Sequence, residues 1–305
     1  MDNNNGTTRA ESFGIAIIVD LEGCAGITRF LETYDRSDDF EIARRRMTAE
    51  LNAAVEGAIA GGADRERIYA IDIHWDGRSL LSDEVHRDCK LLRGGRFPAH
   101  RAQIYQRVDA VAYLGLYAPA GRPGVLAHTY DFHVQSIVID GEEWGDAEIE
   151  CLLAAQRGDS PTGAVPILAA GDQHALEVFR RRFPEVVGVQ TKEAIDASSA
   201  ICEHPLSVVG KIRNQMALAC ERFTTSRLEF GLPVRLGTPA VVTVGFGTSE
   251  MADAVASLLD DTTRGKRNEV VRTFANPNAL RVANWAASAV MLARAADDGR
   301  GGSDA

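Results

Sequence analysis

The feature that decides the fold is the stretch GIAIIVDLEG, residues 14–23. Its first six residues form an unbroken apolar run, which is typical of a buried strand in a parallel sheet. Residues two apart in a strand share one face, so Asp20 and Glu22 point the same way at its carboxyl end. Two buried like charges repel each other and lose hydration, and a bound cation relieves both costs. The pair therefore predicts a metal site, with an acidic loop after a strand as the simpler alternative.

Strand and helix patterns alternate over residues 13–205 and predict an α/β fold, with a mostly parallel sheet flanked by helices. Strands are expected at 15–20, 67–73, 108–116, 133–139, 165–170 and 186–190, and helices at 39–60, 145–156 and 175–183. Beyond residue 205 the pattern predicts a smaller α+β part over 206–296, with helices at 206–222, 250–259 and 279–296 and a strand at 235–246. The polar ends, 1–12 and 297–305, are expected to be disordered tails.

The composition excludes several classes of protein. A net charge of -10 argues against nucleic acid or an anionic membrane as the main partner, since both reward clustered Lys and Arg. No apolar run reaches the roughly 18 residues of a membrane span, and the N-terminus lacks the apolar core of a signal peptide. The 5 cysteines are scattered without a C-x-x-C pair, as expected of reduced thiols in a cytoplasmic protein.

Metal-capable side chains recur at the predicted strand ends. His74 follows the second strand, and Asp146 opens the helix after the Asp140-Gly141 turn. Ligands bind beyond the carboxyl ends of the strands in open parallel sheets. Together with the first carboxylate pair, these residues fit a divalent cation held by nitrogen and oxygen ligands. Taken in isolation, His74 is better explained as a core histidine bonded to a carbonyl, and Asp146 as a helix cap or dipole partner.

Two neighbours of the histidine are candidates for the same pocket. Trp75 and Asp76 follow His74 directly. They can line the pocket, or they can hold the imidazole from behind as outer partners of a metal ligand commonly do.

Several segments resemble the bacterial zinc D-aminopeptidase family. The stretch IVDLEGCAGIT (18–28) resembles the family's strand followed by Val-Asp-Met-Glu-Gly-Ile-x-Gly. Other matches follow in the same order: DIH (72–74) for Asp-Ser-His, GVLAHT (124–129) for Gly-Val-x-x-His-Ser/Thr, AAGD (169–172) for Ala-Gly-Asp, and Lys192 for a family lysine. The likeness runs from about residue 14 to 205 and is looser beyond.

The resemblance implies a zinc peptidase. In the family arrangement Asp20 would bridge two zinc ions, Glu22 and His74 would be ligands, and His128 would match the catalytic histidine. Lys192 would offer positive charge to an oxyanion or to a substrate carboxylate, unless it is a surface lysine. Family members form ring-shaped oligomers and cleave short peptides, some with a D-amino acid at the N-terminus. The resemblance thus implies a homo-oligomer with a small peptide or amide as substrate.

The chain departs from the family pattern at two ligand positions. Tyr117 stands in LGLY (114–117) where the family has histidine, and Asp146 stands where the family has glutamate. Aspartate keeps the charge with a shorter reach, whereas a neutral phenol is a poor zinc ligand beside imidazole. Tyr117 can instead be a hydrogen-bond donor to the substrate.

These departures leave the number of metal ions open. The site can keep one ion on Asp20, Glu22 and His74, or His133 or Glu148 can compensate for the lost ligand, or the metal can be absent. The intact set of three favours at least one ion.

The sequence thus predicts a metal-dependent hydrolase that cleaves an amide bond, an aminopeptidase or an amidohydrolase. Water activated by the cation attacks the carbonyl, and His128 shuttles a proton or stabilises the oxyanion. The alternative is a catalytically weak relative that acts as a ligand-binding or assembly protein. A phosphate-binding α/β protein is disfavoured, because neither Gly-x-Gly-x-x-Gly nor a P-loop follows any strand.

Overall fold

The first strand, β1 (Phe13–Val19), is buried along its whole length. Ile15 and Ile17 pack into one core cluster, and Ala16 and Ile18 pack into another on the opposite side. Such a strand must lie inside a sheet with both faces covered. The computed structural model in which this is seen describes residues 12–34, 37–95, 97–156, 163–230 and 235–301.

The elements alternate in the order that the sequence predicts. The strands after β1 are β2 (Ala63–Asp72), β3 (Lys90–Leu92), β4 (Ala110–Leu116), β5 (Val134–Ile139), β6 (Glu142–Glu143), β7 (Val165–Asp172), β8 (Val187–Ala194), β9 (Ala200–Cys202), β10 (Ala240–Phe246), β11 (Thr263–Arg264) and β12 (Glu269–Phe274). The helices are α1 (Asp38–Ala60), α2 (Pro98–Tyr105), α3 (Asp146–Ala155), α4 (Gln173–Arg182), α5 (Pro205–Ser226), α6 (Ser249–Leu258) and α7 (Ala279–Gly301).

The larger sheet brings the predicted strand ends to one edge. Its order is β3-β2-β1-β4-β7-β8-β9, and its strands are parallel except for the final β8–β9 pair. Val19 lies opposite Asp72 on β2 and Leu114 on β4, so these three strands end level with one another. The loops that follow them therefore emerge side by side. The predicted α/β fold with a mostly parallel sheet is confirmed.

Helices α1 and α5 cover one face of this sheet. Met47 and Leu51 of α1 and Ile212 and Met216 of α5 are fully buried in the same cluster as the odd-numbered residues of β1. Helix α1 begins where Ser37 accepts a hydrogen bond from the Phe40 amide at 3.0 Å, as expected of an N-cap.

The second sheet is antiparallel and smaller. Its order is β11-β12-β10-β5-β6, and its core is continuous with α3, α6, α7 and the opposite face of the larger sheet. Because β5 precedes residue 205 and pairs with β10 beyond it, strand pairing crosses the predicted domain boundary. The division at 205 stays a prediction.

The differences from the predicted elements concern short or exposed segments. The sequence pattern did not predict α2, β3, β6, β9, β11 and β12, which are short or only partly buried and so carry a weak apolar signal. Helix α7 continues to Gly301, beyond the predicted end at 296. Of the predicted tails, residues 1–11 and 302–305 lie outside the described part. None of the helices in that part has both the length and the apolar character needed to cross a membrane.

A close approach between the end of β4 and the residue that follows β1 depends on Gly115. Its φ is +72°, and a Cβ at this position would lie 1.9 Å from the carbonyl oxygen of Asp20. We expect Gly115→Ala to lower the free energy of unfolding by about 2 kcal/mol or more, through backbone strain and displacement of the β1 end. Gly210→Ala is the matched control, since a Cβ inside α5 at that position meets nothing within 4 Å. The control should gain roughly 0.5–1 kcal/mol from helix propensity. Denaturant unfolding measures both, and equal stability of Gly115→Ala and wild type would refute the argument.

Candidate metal centre

Three buried side chains converge at the carboxyl ends of β1 and β2. Asp20, Glu22 and His74 each offer one ligand atom, and these atoms all lie within 4.8 Å of one another. His74 Nδ1 is 3.1 Å from Asp20 Oδ1 and 3.3 Å from Glu22 Oε2. Each residue is at most 4% exposed, so bulk water does little to screen the two carboxylates.

The other ring nitrogen fixes the tautomer of His74. Nε2 lies 2.9 Å from the carbonyl oxygen of Thr33, which can only accept, so Nε2 carries the proton. In the neutral ring this leaves the lone pair of Nδ1 directed at the two carboxylates. A backbone carbonyl that orients the far nitrogen is common for metal-bound histidine.

Asp72 holds the turn that presents His74. This carboxylate is fully buried and accepts hydrogen bonds from the amides of His74 at 3.2 Å and Leu80 at 2.7 Å. Burial raises the pKa of Asp72 to about 6, although these amide donors oppose the shift. The turn after β2 is therefore built around a side chain at the very end of that strand.

The cluster fits a divalent cation. Two carboxylates and an imidazole nitrogen face one another, and Glu22 Oε2 finds no hydrogen-bond partner among the described residues. Burial and the neighbouring Glu22 raise the pKa of Asp20 to about 7. Burial lowers the pKa of His74, but the two carboxylates outweigh it and raise that pKa well above its ordinary value. The donor set of two carboxylates and one imidazole matches zinc coordinated by nitrogen and oxygen.

Lys192 supports the loop that carries Glu22. Its ammonium is fully buried and donates to the carbonyl oxygens of Glu22 at 2.5 Å, Cys24 at 3.0 Å and Ile27. An ammonium has three N–H donors, and these three carbonyls use all of them. The structure therefore shows Lys192 supporting this loop, and its predicted catalytic role stays a prediction. It also rules out the surface-lysine alternative.

Further contacts hold the same loop from both sides. Thr191 Oγ1 donates to the Gly23 carbonyl at 2.7 Å, and Glu50 Oε1 accepts from the Ala25 amide at 2.8 Å. Thr191 comes from β8 and Glu50 from α1, so the loop is fixed between a strand and a helix. Neither residue was predicted to contribute, because their partners are backbone atoms distant in sequence.

His128 lies beside the cluster with one nitrogen facing it. Its Nδ1 is 2.7 Å from the Leu126 carbonyl oxygen and so carries the proton, whereas Nε2 lies 4.0 Å from Glu22 Oε1. The ring is stacked between Tyr117 and Phe132, each with a centroid distance of 4.3 Å. The imidazole is thus held rigidly with an accepting nitrogen toward the centre.

The end of β7 anchors the loop that carries His128. Asp172 is fully buried, and its two oxygens accept from the amides of Val125 at 3.2 Å and Ala175 at 2.8 Å. One side chain therefore caps α4 and fixes the turn at Gly124, whose φ is +148°. Asp172, like Asp72, is the last residue of a strand with a buried end. That position in the sequence could have identified both carboxylates as supporting residues.

Asp146 is near the centre but engaged with other groups. The Tyr117 hydroxyl donates a short hydrogen bond to Asp146 Oδ2, and the Tyr130 amide lies 2.9 and 3.0 Å from the two carboxylate oxygens. Burial raises the pKa of Asp146 to about 7, against the effect of the Tyr117 hydrogen bond. The three-residue cluster found among the described residues does not include Asp146, which was predicted as a ligand.

The neighbours of His74 point away from the cluster. Asp76 is exposed and pairs with Arg78 at 3.4 Å. Trp75 is 43% exposed and contacts the Tyr34 ring edge-on at 5.1 Å. Trp75 therefore borders the centre from the surface, and Asp76 makes no contact with the imidazole that the structure records.

The two residues considered as replacements for a lost ligand have other partners. His133 lies between Asp131 and Asp297, with Nε2 3.1 Å from Asp297 Oδ2. Glu148 Oε2 accepts from the Gly145 amide at 3.0 Å and caps its own helix. Neither residue belongs to the three-residue cluster.

Comparisons with known proteins agree with the predicted family. The family model for D-aminopeptidase, peptidase M55, matches residues 14–285. A D-aminopeptidase of Bacillus subtilis (strain 168) is 25% identical over 207 residues, which make up 67% of this chain and 72% of that protein. Among solved structures, the Zn-dependent D-aminopeptidase DppA from Bacillus subtilis, a self-compartmentalizing protease, is similar with a TM-score of 0.80 at 20% identity. That match covers 92% of this chain and 98% of the other and extends the likeness of fold to the C-terminal part.

Removal of the Lys192 ammonium should destabilise the loop. Lys192→Met leaves three buried carbonyls without their donor, and we expect a loss of about 3 kcal/mol or more in the free energy of unfolding. Lys211→Met is the control, because Lys211 is half exposed and pairs with Glu203. Its loss should stay within about 0.5 kcal/mol. Chemical denaturation measures both variants, and equal effects would contradict the supporting role.

Proposed function

The chain belongs to the D-aminopeptidase family of metallopeptidases, peptidase M55, and from this we propose that it is a zinc-dependent hydrolase of a short peptide or small amide. The observation that carries the proposal is the buried cluster of Asp20, Glu22 and His74. The related Bacillus subtilis protein of known structure is described as Zn-dependent. The bond cleaved would be the amide after the N-terminal residue, as in an aminopeptidase.

Asp20, Glu22 and His74 would hold the zinc ion. A bound zinc ion supplies a Lewis acid for the carbonyl oxygen and lowers the pKa of a coordinated water. The protein contributes a preset arrangement of ligands, because Thr33 orients His74 and Lys192 orients the backbone of Glu22. Little reorganisation is then needed when the charge develops.

His128 is suited to move a proton. Its Nδ1–H is used by the Leu126 carbonyl, so Nε2 is free to accept a proton from the attacking water. As the C–N bond breaks, the same nitrogen returns that proton to the leaving amine. Stacking between Tyr117 and Phe132 keeps the ring in place through both transfers.

We infer that the centre holds one ion per chain. A second metal ion would need a ligand at position 117, but the Tyr117 hydroxyl donates its hydrogen bond to Asp146. A neutral phenol that donates a hydrogen bond to a carboxylate occupies the oxygen that a second ion would use.

Replacement of Tyr117 by histidine tests this count. Tyr117→His frees Asp146 and adds an imidazole, so bound zinc should rise from about one to about two equivalents per chain. Tyr117→Phe removes the hydroxyl without adding a ligand and should leave the count unchanged. Elemental analysis of protein purified without chelators measures both. An unchanged count in the histidine variant would mean that another group already fills the position.

Loss of Asp20 tests the metal centre itself. Asp20→Ala should abolish zinc binding and hydrolysis while circular dichroism keeps the spectrum of the wild type, because removing one of two buried like charges relieves repulsion in the metal-free protein. Asp76→Ala is the control, since Asp76 is exposed and paired with Arg78. The assay uses a panel of L- and D-aminoacyl amides. Hydrolysis retained by Asp20→Ala would remove that carboxylate from the mechanism.

A second candidate function is that of a catalytically weak relative that binds a ligand or builds an assembly. The Tyr117–Asp146 hydrogen bond favours it, because it occupies one family ligand position. Near-zero bound metal together with no hydrolysis across the panel would support this alternative over the hydrolase.

Assembly and location are inferred from separate observations. The related solved structure is a self-compartmentalizing protease, and from it we infer a homo-oligomer, which light scattering on the purified chain can measure. The cysteines are all free, which suits the reducing cytoplasm.

A further inference from the structure

Four partly exposed aromatic side chains border the candidate metal centre. We call this set the aromatic rim, and its members are Phe30 (41% exposed), Tyr34 (41%), Trp75 (43%) and Phe132 (50%). They come from three separate loops, which follow β1, β2 and β4. Exposed large apolar side chains that cluster from different loops mark a binding surface more often than singly scattered ones do.

The rings form an unbroken series from one side of the centre to the other. Phe30 contacts Phe132 edge-on at 5.1 Å and Tyr34 at 5.5 Å, and Tyr34 contacts Trp75 at 5.1 Å. At one end Phe132 stacks on His128, and at the other Trp75 follows His74 in the chain. The rim therefore runs from His128, which would move the proton, to the chain neighbour of His74, which would hold the zinc ion.

Trp75 is held at the surface by specific contacts. Its φ is +53°, an uncommon conformation for a residue with a side chain. The Arg294 guanidinium lies 4.9 Å from the centroid of the indole, and Arg294 in turn is 3.6 Å from a carboxylate oxygen of Asp131. Strained backbone that the surroundings maintain is characteristic of functional sites.

We propose that the aromatic rim binds a large apolar or aromatic side chain of the substrate, so that such residues are preferred over alanine and glycine next to the scissile bond. This inference rests on the proposed hydrolase function, because that function places the scissile bond next to the aromatic rim. The rings of the rim are already partly buried, and their exposed faces and edges favour contact with a further aromatic ring. A cationic side chain is disfavoured, because the Arg294 guanidinium already lies over Trp75.

Trp75 provides a readout of binding that does not require catalysis. The chain has 3 tryptophans, and Trp144 and Trp285 are 4% and 3% exposed, so quenching by acrylamide reports mainly on Trp75. Phenylalaninamide, tested as both enantiomers on the zinc-free wild-type chain, should protect Trp75 from quenching at concentrations about tenfold lower than alaninamide does. Trp75→Phe should abolish this change in quenching.

Phe30→Ala tests the rim without touching the residues assigned to catalysis. It should weaken phenylalaninamide binding about fivefold and lower the kcat/KM ratio of phenylalaninamide to alaninamide by a similar factor. Leu31→Ala is the matched control, since Leu31 is the adjacent side chain, is 62% exposed and belongs to none of the ring contacts. It should change neither quantity.

The outcomes separate this inference from the hydrolase proposal. Protection of Trp75 by phenylalaninamide in a chain that hydrolyses nothing would support the rim and refute the hydrolase. Equal hydrolysis of both amides with no protection would refute the rim and support the hydrolase. Trp75 that is shielded without ligand and becomes accessible on dilution would identify the rim as a contact between two copies, which also overturns the inference.

Discussion

The constraint on which the structure depends is the burial of two carboxylates at the tip of a central strand. Asp20 and Glu22 cannot both stay charged there without a compensating positive group. His74 approaches both from the neighbouring strand, and Lys192 directs its ammonium at the backbone of the same loop. His74 and the backbone contacts of Lys192 thus fix the positions of the two carboxylates, and such an arrangement is suited to a divalent ion.

The supporting residues act at a distance from this point, yet each has a specific mechanical effect. Asp72 and Asp172 close buried strands and hold the turns that carry His74 and His128. Gly115 lets the end of β4 approach the carbonyl of Asp20. Because these contacts join neighbouring strand ends, the geometry of the candidate metal centre depends on the register of the strands as much as on the ligand residues.

Much of the fold and part of the site could be predicted from sequence, for a common reason. Buried parallel strands give long apolar runs, and their carboxyl ends meet at one edge, so Asp20, Glu22 and His74 could be expected to converge. The backbone contacts of Lys192 could not be predicted, since a motif does not reveal which carbonyl oxygens an ammonium will reach. The partners of His133 were equally hidden, because they are set by a loop path and by α7. Glu148 instead caps its own helix through the Gly145 amide, a contact that its spacing could have indicated.

Tyr117 connects the two halves of the site. Its hydroxyl donates a hydrogen bond to Asp146, and its ring stacks on His128 with an interplanar angle of 4°. Phe132 covers the opposite face of the same imidazole and contacts Phe30 at the surface. Tyrosine at position 117 therefore adds an aromatic face to a stack that leads outward to the aromatic rim. We infer that the departure from the family pattern at this position and the row of surface rings belong together, because the Tyr117 ring joins the imidazole of His128 to that row.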